Sequence, residues 1–75
     1  MGNNMRAERA RRGLTQAELA DALGVVTTSV VRWESGASEP DTRNLIRMSR
    51  LYGCTPEYLL DLVDEPHKEL DSTLI

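Results

Sequence analysis

The chain has 75 residues, 40% apolar and 28% charged, with 5 Gly and 3 Pro; this is enough for one small domain and excludes collagenous, low-complexity and disordered classes. No apolar run approaches the roughly 20 residues that cross a bilayer, and no apolar stretch follows the charges of Met1–Arg12 to make a signal peptide, so the chain reads as cytoplasmic. A lone Cys54 allows no internal disulfide and a lone His67 leaves a metal site short of ligands, so no metal or other cofactor is expected. The net charge of −3 is unevenly placed: residues 1–60 hold eight Arg against seven acids, whereas residues 61–75 hold five acids against Lys68. A faintly basic body therefore precedes an acidic tail.

In chain order the punctuation is helical. A first helix starts after Asn3 or Asn4, either of which can cap it, and runs through Arg12 to Gly13. Thr15-Gln16-Ala17-Glu18 is a capping box, and the second helix it opens runs to Leu23 and stops at Gly24. A third spans about Thr27 to Ser35 and ends at Gly36. Pro40-Asp41 opens a fourth, with Asp41 as N-cap and Gly53 as its end; Thr55-Pro56 opens a fifth, with Pro at the first helical position, where no N–H is needed. No strand or hairpin signal competes. At 3.6-residue spacing Leu14, Leu19, Leu23, Val30, Trp33, Leu45, Met48, Tyr52 and Leu59 face inward, with Ile46 beside them and Cys54 a small buried hydrophobe.

Between Gln16 and Trp33 the spacing becomes specific. Two short helices can cross steeply through a tight turn when a small residue sits at the crossing, a positive-φ residue starts the turn, and apolar residues face inward throughout. Ala20, Gly24 and the set Leu19, Leu23, Val25, Val30 and Trp33 meet these conditions. Periodicity leaves Thr27, Thr28, Val31 and Arg32 on the outward face of the third helix.

The chain resembles the lambda-repressor-like helix-turn-helix family of phage repressors, Cro proteins and bacterial regulators named for xenobiotic response elements. The resemblance is carried by Gly13-Leu14-Thr15-Gln16-Ala17-Glu18-Leu19-Ala20, Leu23-Gly24-Val25, Trp33-Glu34-Ser35-Gly36, Pro40, Leu45 and Tyr58-Leu59-Leu60, and covers about residues 4–62. It implies an all-α, five-helix DNA-binding domain over residues 1–62, with helix-turn-helix in the second and third helices. Beyond it the apolar pattern fades into an acidic tail, 63–75, read as frayed, as a short helix after Pro66 or as a dimer contact. The resemblance further assigns base reading to Thr27, Thr28, Val31 and Arg32. Arg32 alone is long enough for a bidentate bond to guanine, and Val31 and Thr28 offer methyl contact to thymine. Gln16 and Arg43 are implied phosphate contacts; beside them, Ser29 can bond a phosphate or the backbone, and Arg12 adds a phosphate contact or long-range attraction only. Arg9 and Glu34 occupy the family's ion-pair positions, which removes Arg9 from the DNA contacts. One departure stands out: Val26 occupies the place of the family's polar N-cap, so either Thr27 caps one residue late or the cap is lost.

The leading functional reading is a sequence-specific regulator of transcription, a repressor that binds double-stranded DNA at a palindromic operator. A chain this short has a thin core, and one such module buries only ~600–1,000 Å² on DNA, so a homodimer is expected. Tyr58, Leu60 and Val63 are its candidate interface. The second reading is a protein-binding module, an antitoxin or adaptor, which the acidic tail favours. An enzyme is the third: nothing orients Cys54 or His67 for catalysis, and no phosphate loop or carboxylate pair is present. No membrane contact and no small-molecule ligand is expected.

Overall fold

The computed structural model describes residues 2–66 and arranges them in five helices: α1 (Asn3–Arg11), α2 (Gln16–Leu23), α3 (Thr27–Ser35), α4 (Thr42–Tyr52) and α5 (Pro56–Leu59). α2 packs on α3 and α4, α4 on α5, and α1 bridges α3 and α5. Most helix ends follow from side chains adjacent in sequence. The Glu18 amide donates to Thr15 Oγ1 at 3.0 Å and the Thr15 amide donates to Glu18 Oε1 at 2.8 Å, closing the expected box. Asp41 and Thr55 accept the amides of Asn44 and Tyr58, each at 3.2 Å. Gly24, at φ 72°, lets the chain reverse after α2, a conformation that costs an L residue about 1–2 kcal/mol.

The start of α1 differs from the sequence reading, and at α3 the second of the two expected alternatives, a lost cap, holds. Asn3 and Asn4 do not cap α1; both lie inside it, and Gly2 is its N-cap. The Asn3 and Asn4 amides donate instead to the Asp61 carboxylate, at 3.2 and 3.0 Å. Asp61 itself sits at φ 63°, and the Asn4 side chain donates to the Tyr58 carbonyl at 2.7 Å. The first helix is thus capped by the far end of the domain, a partner that local sequence cannot indicate. It also ends at Arg11, short of the expected Arg12–Gly13. At α3 the N-cap is Val26 and no side chain bonds there, so Thr27 does not act as a late cap.

The core holds Met5, Leu19, Ala20, Leu23, Val30, Trp33, Met48, Tyr52, Cys54, Tyr58 and Leu59, with Leu14, Val25 and Leu45 against it. Ile46 lies outside, 40% exposed, because the inward stripe of α4 passes through Met48 and Tyr52. α1 contributes one buried apolar side chain, Met5, so its docking is largely polar. Its Glu8 is 2% exposed. The carboxylate accepts from Arg12 Nη1 at 2.7 Å, Arg11 Nη1 at 3.1 Å and the Tyr58 hydroxyl at 3.2 Å. A buried carboxylate needs such partners, since stranding one costs several kcal/mol. The short helix or dimer contact expected after Pro66 falls outside the described residues.

Gly2 is buried where α1 meets the end of α3. At φ 91°, a methyl group there would lie closer than 3.0 Å to the Trp33 and Glu34 carbonyls. Gly13, at φ 68°, has nothing within 4 Å of the same position. Gly2→Ala is expected to destabilise the fold by about 1–3 kcal/mol, more than Gly13→Ala, which carries only the backbone penalty; urea unfolding midpoints of the two variants check this.

Burial pushes the Cys54 thiol up to about 11 and the Tyr52 hydroxyl up to about 12. The unfolded chain ionises these groups first, so the stability they contribute is full below pH 9 and falls as pH rises toward 12. Unfolding midpoints should decline across that window, and Cys54→Ser should flatten its lower half.

Candidate nucleic-acid interface

α2 and α3 cross at Ala20, which is 2% exposed, and the turn at Gly24 brings the second helix across the first. Val30, Trp33 and Glu34 are the buried residues of α3. With one face held by a valine, an indole and a carboxylate, the opposite face is fixed in orientation. That face carries Thr27, Thr28, Val31 and Arg32, all exposed. The side chains expected to point outward therefore do so, on a helix that cannot roll. Val26, 67% exposed, stands at the start of this helix, and no side chain caps the first amides of α3. Ser29 is half-buried at its flank.

The orientation depends on a pair of opposite charges. Arg9 Nε donates to Glu34 Oε2 at 2.7 Å and Nη2 to Glu34 Oε1 at 3.1 Å, a bidentate contact, while Nη1 donates to the Leu14 carbonyl at 2.7 Å. The hydrogen bond to Glu34 raises the Arg9 pKa above its ordinary value. Glu34 Oε1 also accepts from Gln16 Nε2 at 3.1 Å. One carboxylate thus joins α1, the start of α2 and the end of α3. Gln16 is held at the first residue of α2, half-buried, with its second amide N–H uncommitted.

Arg12 departs from its expected place. Its Nη1 goes to Glu8, its Nη2 to the Tyr52 carbonyl, and its guanidinium lies 4.9 Å from the Tyr52 ring centroid. These contacts make it an internal latch between α1 and α4 rather than a group offered to phosphate. Arg6 donates to the Glu34 carbonyl at 3.0 Å, and Arg47 donates to the Leu23 carbonyl at 2.8 Å, each closing a helix end. Arg32, Arg43 and Arg50 form no internal hydrogen bond or ion pair among the described residues. Arg43, near the start of α4, is exposed.

Tyr58 is also corrected: it is 8% exposed, inside the core, with its hydroxyl on Glu8, and so is no edge of a dimer surface. Leu60 is half-buried, while Leu62 and Val63 are 67% and 43% exposed. Sequence reasoning missed Glu8 as a buried centre. Its spacing to Arg11 and Arg12 marks a helical ion pair, but nothing local signals that Tyr58 closes over it.

The family model described as Helix-turn-helix matches residues 5–59, most of the chain. The chain belongs to the lambda-repressor-like helix-turn-helix family. This helix-turn-helix domain is 37% identical over 60 residues to Repressor protein C2 of Salmonella phage P22, a match covering 80% of this chain and 28% of that protein. It is 38% identical over 60 residues to the HTH-type transcriptional regulator DicA of Escherichia coli strain K12, covering 80% of this chain and 44% of that protein. The domain thus spans less than half the length of these two relatives. Among solved structures it is similar to the P22 c2 repressor in complex with synthetic operator 9T, with a TM-score of 0.76 and 34% identity, over 83% of this chain and 94% of that one. The named relatives are repressors and regulators, not enzymes.

Because Glu34 is 2% exposed, removing its partner leaves a charge stranded in the interior. Arg9→Ala is expected to cost about 3–5 kcal/mol of stability, and the double variant Arg9→Ala/Glu34→Ala less than the two single losses together. Denaturant unfolding of the four species completes the cycle; additive losses would show that the pair is not coupled.

Proposed function

We propose that this domain binds double-stranded DNA sequence-specifically, as a homodimeric transcriptional repressor acting in the cytoplasm on a palindromic operator. The observation that carries the reading is the outward face of α3. Four exposed side chains sit on a helix locked from behind by Trp33 and the Arg9–Glu34 pair, in a domain similar over 83% of its length to an operator-bound repressor. A helix so fixed can enter the major groove with its side chains at defined positions along the base edges.

In this reading Arg32, with no internal partner among the described residues, bonds guanine O6 and N7, and Thr27, Thr28 and Val31 supply short polar and methyl contacts, thymine methyls included. Gln16 gives its second amide N–H to a phosphate, beside the first amides of α2, where the helix dipole favours an anion. Ser29 and Arg43 add backbone contacts on either side. Arg12 is left out because its guanidinium is engaged by the Glu8 carboxylate and the Tyr52 carbonyl. Two modules on half-sites one helical turn apart, about 34 Å, supply the affinity that one lacks. The segment from Leu60 to Val63 is the proposed dimer surface, with Leu62 and Val63 exposed on it. The overall negative charge does not oppose this function, because residues 1–60 carry eight Arg against seven acids and the excess of acid lies in residues 61–75.

Site selection from random duplexes, followed by titration of the selected site at several salt concentrations, tests the proposal. The logarithm of affinity should fall linearly with the logarithm of salt, and a protein-binding module would bind no duplex preferentially. Arg32→Ala is expected to lose about 1–3 kcal/mol and to relax preference at one base position. Gln16→Ala should weaken all sequences alike. Unchanged binding by Arg32→Ala would refute its base-reading role, and a single-subunit mass at working concentration would refute the dimer.

A further inference from the structure

α4 has three arginines and no acid. At 100° per residue Arg43, Arg47 and Arg50 fall on one narrow stripe, with Ile46 on one side and Leu51 on the other. All five are exposed, Ile46 at 40% and Leu51 at 45%, while Met48 and Tyr52 on the reverse side are buried. Arg47 gives one N–H to the Leu23 carbonyl, and Arg43 and Arg50 have no internal partner among the described residues. Like charges at this spacing repel one another. The nearest preceding acid, Asp41, is engaged in the α4 cap with Asn44. The result is a cationic helix face with apolar margins, none of whose guanidinium groups forms an ion pair among the described residues.

We infer that this face is a docking surface for residues 67–75 of the same chain. Their sequence, His-Lys-Glu-Leu-Asp-Ser-Thr-Leu-Ile, alternates the acids Glu69 and Asp71 with the apolar Leu70, Leu74 and Ile75. It thus offers two acids, against the single cation Lys68, for the arginine stripe and apolar side chains for its margins. The place where the segment emerges supports this occupant. The Thr55 amide donates to the Pro66 carbonyl at 2.8 Å, so the segment leaves the described fold just beyond the C-terminal end of α4. Nine extended residues reach about 30 Å, against about 16 Å for the length of α4 and about 10 Å for its diameter. Arg50 and Arg47 lie about 5 and 9 Å back along the helix from Gly53, and Glu69 and Asp71 lie about 10 and 17 Å along an extended chain from Pro66. Both carboxylates therefore come within range of the stripe, and the leucines within range of Ile46 and Leu51. Each exposed ion pair contributes little, so the contact depends on several charges and the apolar margins acting together, and weakens with salt.

The test uses the full chain without DNA, so its result does not depend on whether α3 reads an operator. Amide spectra of Glu69→Gln/Asp71→Gln are compared with those of the unaltered protein at low and high salt. The expected result is a shift of the Arg43–Leu51 amides that high salt reproduces in the unaltered protein, with the α3 amides unmoved. Shifts confined to residues 66–75 would overturn the inference. A nitroxide at Ser72→Cys, in a Cys54→Ser background, should broaden the Arg47 and Arg50 amides of its own chain. Broadening of an isotope-labelled chain mixed with a nitroxide-bearing unlabelled one would place the segment on a second copy and overturn docking within one chain. Arg50→Glu should weaken the contact, and combining it with Glu69→Arg should recover part of it; no effect of either would also overturn it.

Discussion

Glu34 brings a full negative charge to the packed end of α3, and Arg9 makes that burial tolerable. The pair is bidentate, nearly enclosed, and shares one carboxylate oxygen with Gln16. Few alternative arrangements satisfy all those donors at once, so the charges fix a geometry as well as a contact. α1 is held to α3, the loop at Leu14 is held to α1, and the first residue of α2 is aimed by the same group. The angle between the two helices of the motif is therefore set twice, by Ala20 and Gly24 at the crossing and by Glu34 at its far side.

Polar latches of this kind recur because the apolar core is thin. α1 offers Met5 and little else, and is secured by Glu8 beneath Tyr58, by Arg12 across Tyr52, and by the Asp61 carboxylate at its N-terminus. A small domain buries too little apolar area to orient every helix by packing alone. Charged hydrogen bonds do that work here, and several join residues fifty or more positions apart. Four of the eight arginines, Arg6, Arg9, Arg12 and Arg47, close carbonyls inside the fold. The apparent basic character of the body is largely structural, which leaves few cations for an outside partner.

The surface divides accordingly. α3 turns a short, mixed face outward, rich in hydroxyl and methyl groups with one long cation. α4 turns out a more cationic face with apolar borders. The two differ in what they can recognise. Short side chains on a rigid helix suit close approach to a groove edge, whereas a stripe of guanidinium groups suits an extended anionic chain.

Local chemistry, read along the chain, settled most helix boundaries, because Thr15, Asp41 and Thr55 cap with atoms of their own neighbours and Gly24, Gly36 and Gly53 end helices by their own freedom. It also settled the outward face of α3, because a buried Trp33 fixes the phase of a helical repeat, and the Arg9–Glu34 pair followed from resemblance. The α1 cap was not legible, since its acceptor is Asp61, nor was the burial of Tyr58, since its partner is Glu8. Arg12 and Arg43 look alike in sequence; only the packed fold turns one inward onto Tyr52 and leaves the other in solvent. The sequence by itself determined which helices form and which faces they bury, through interactions within a turn or two. Tertiary structure alone decided how each charge is used, because a long side chain meets its partner only after distant segments have packed.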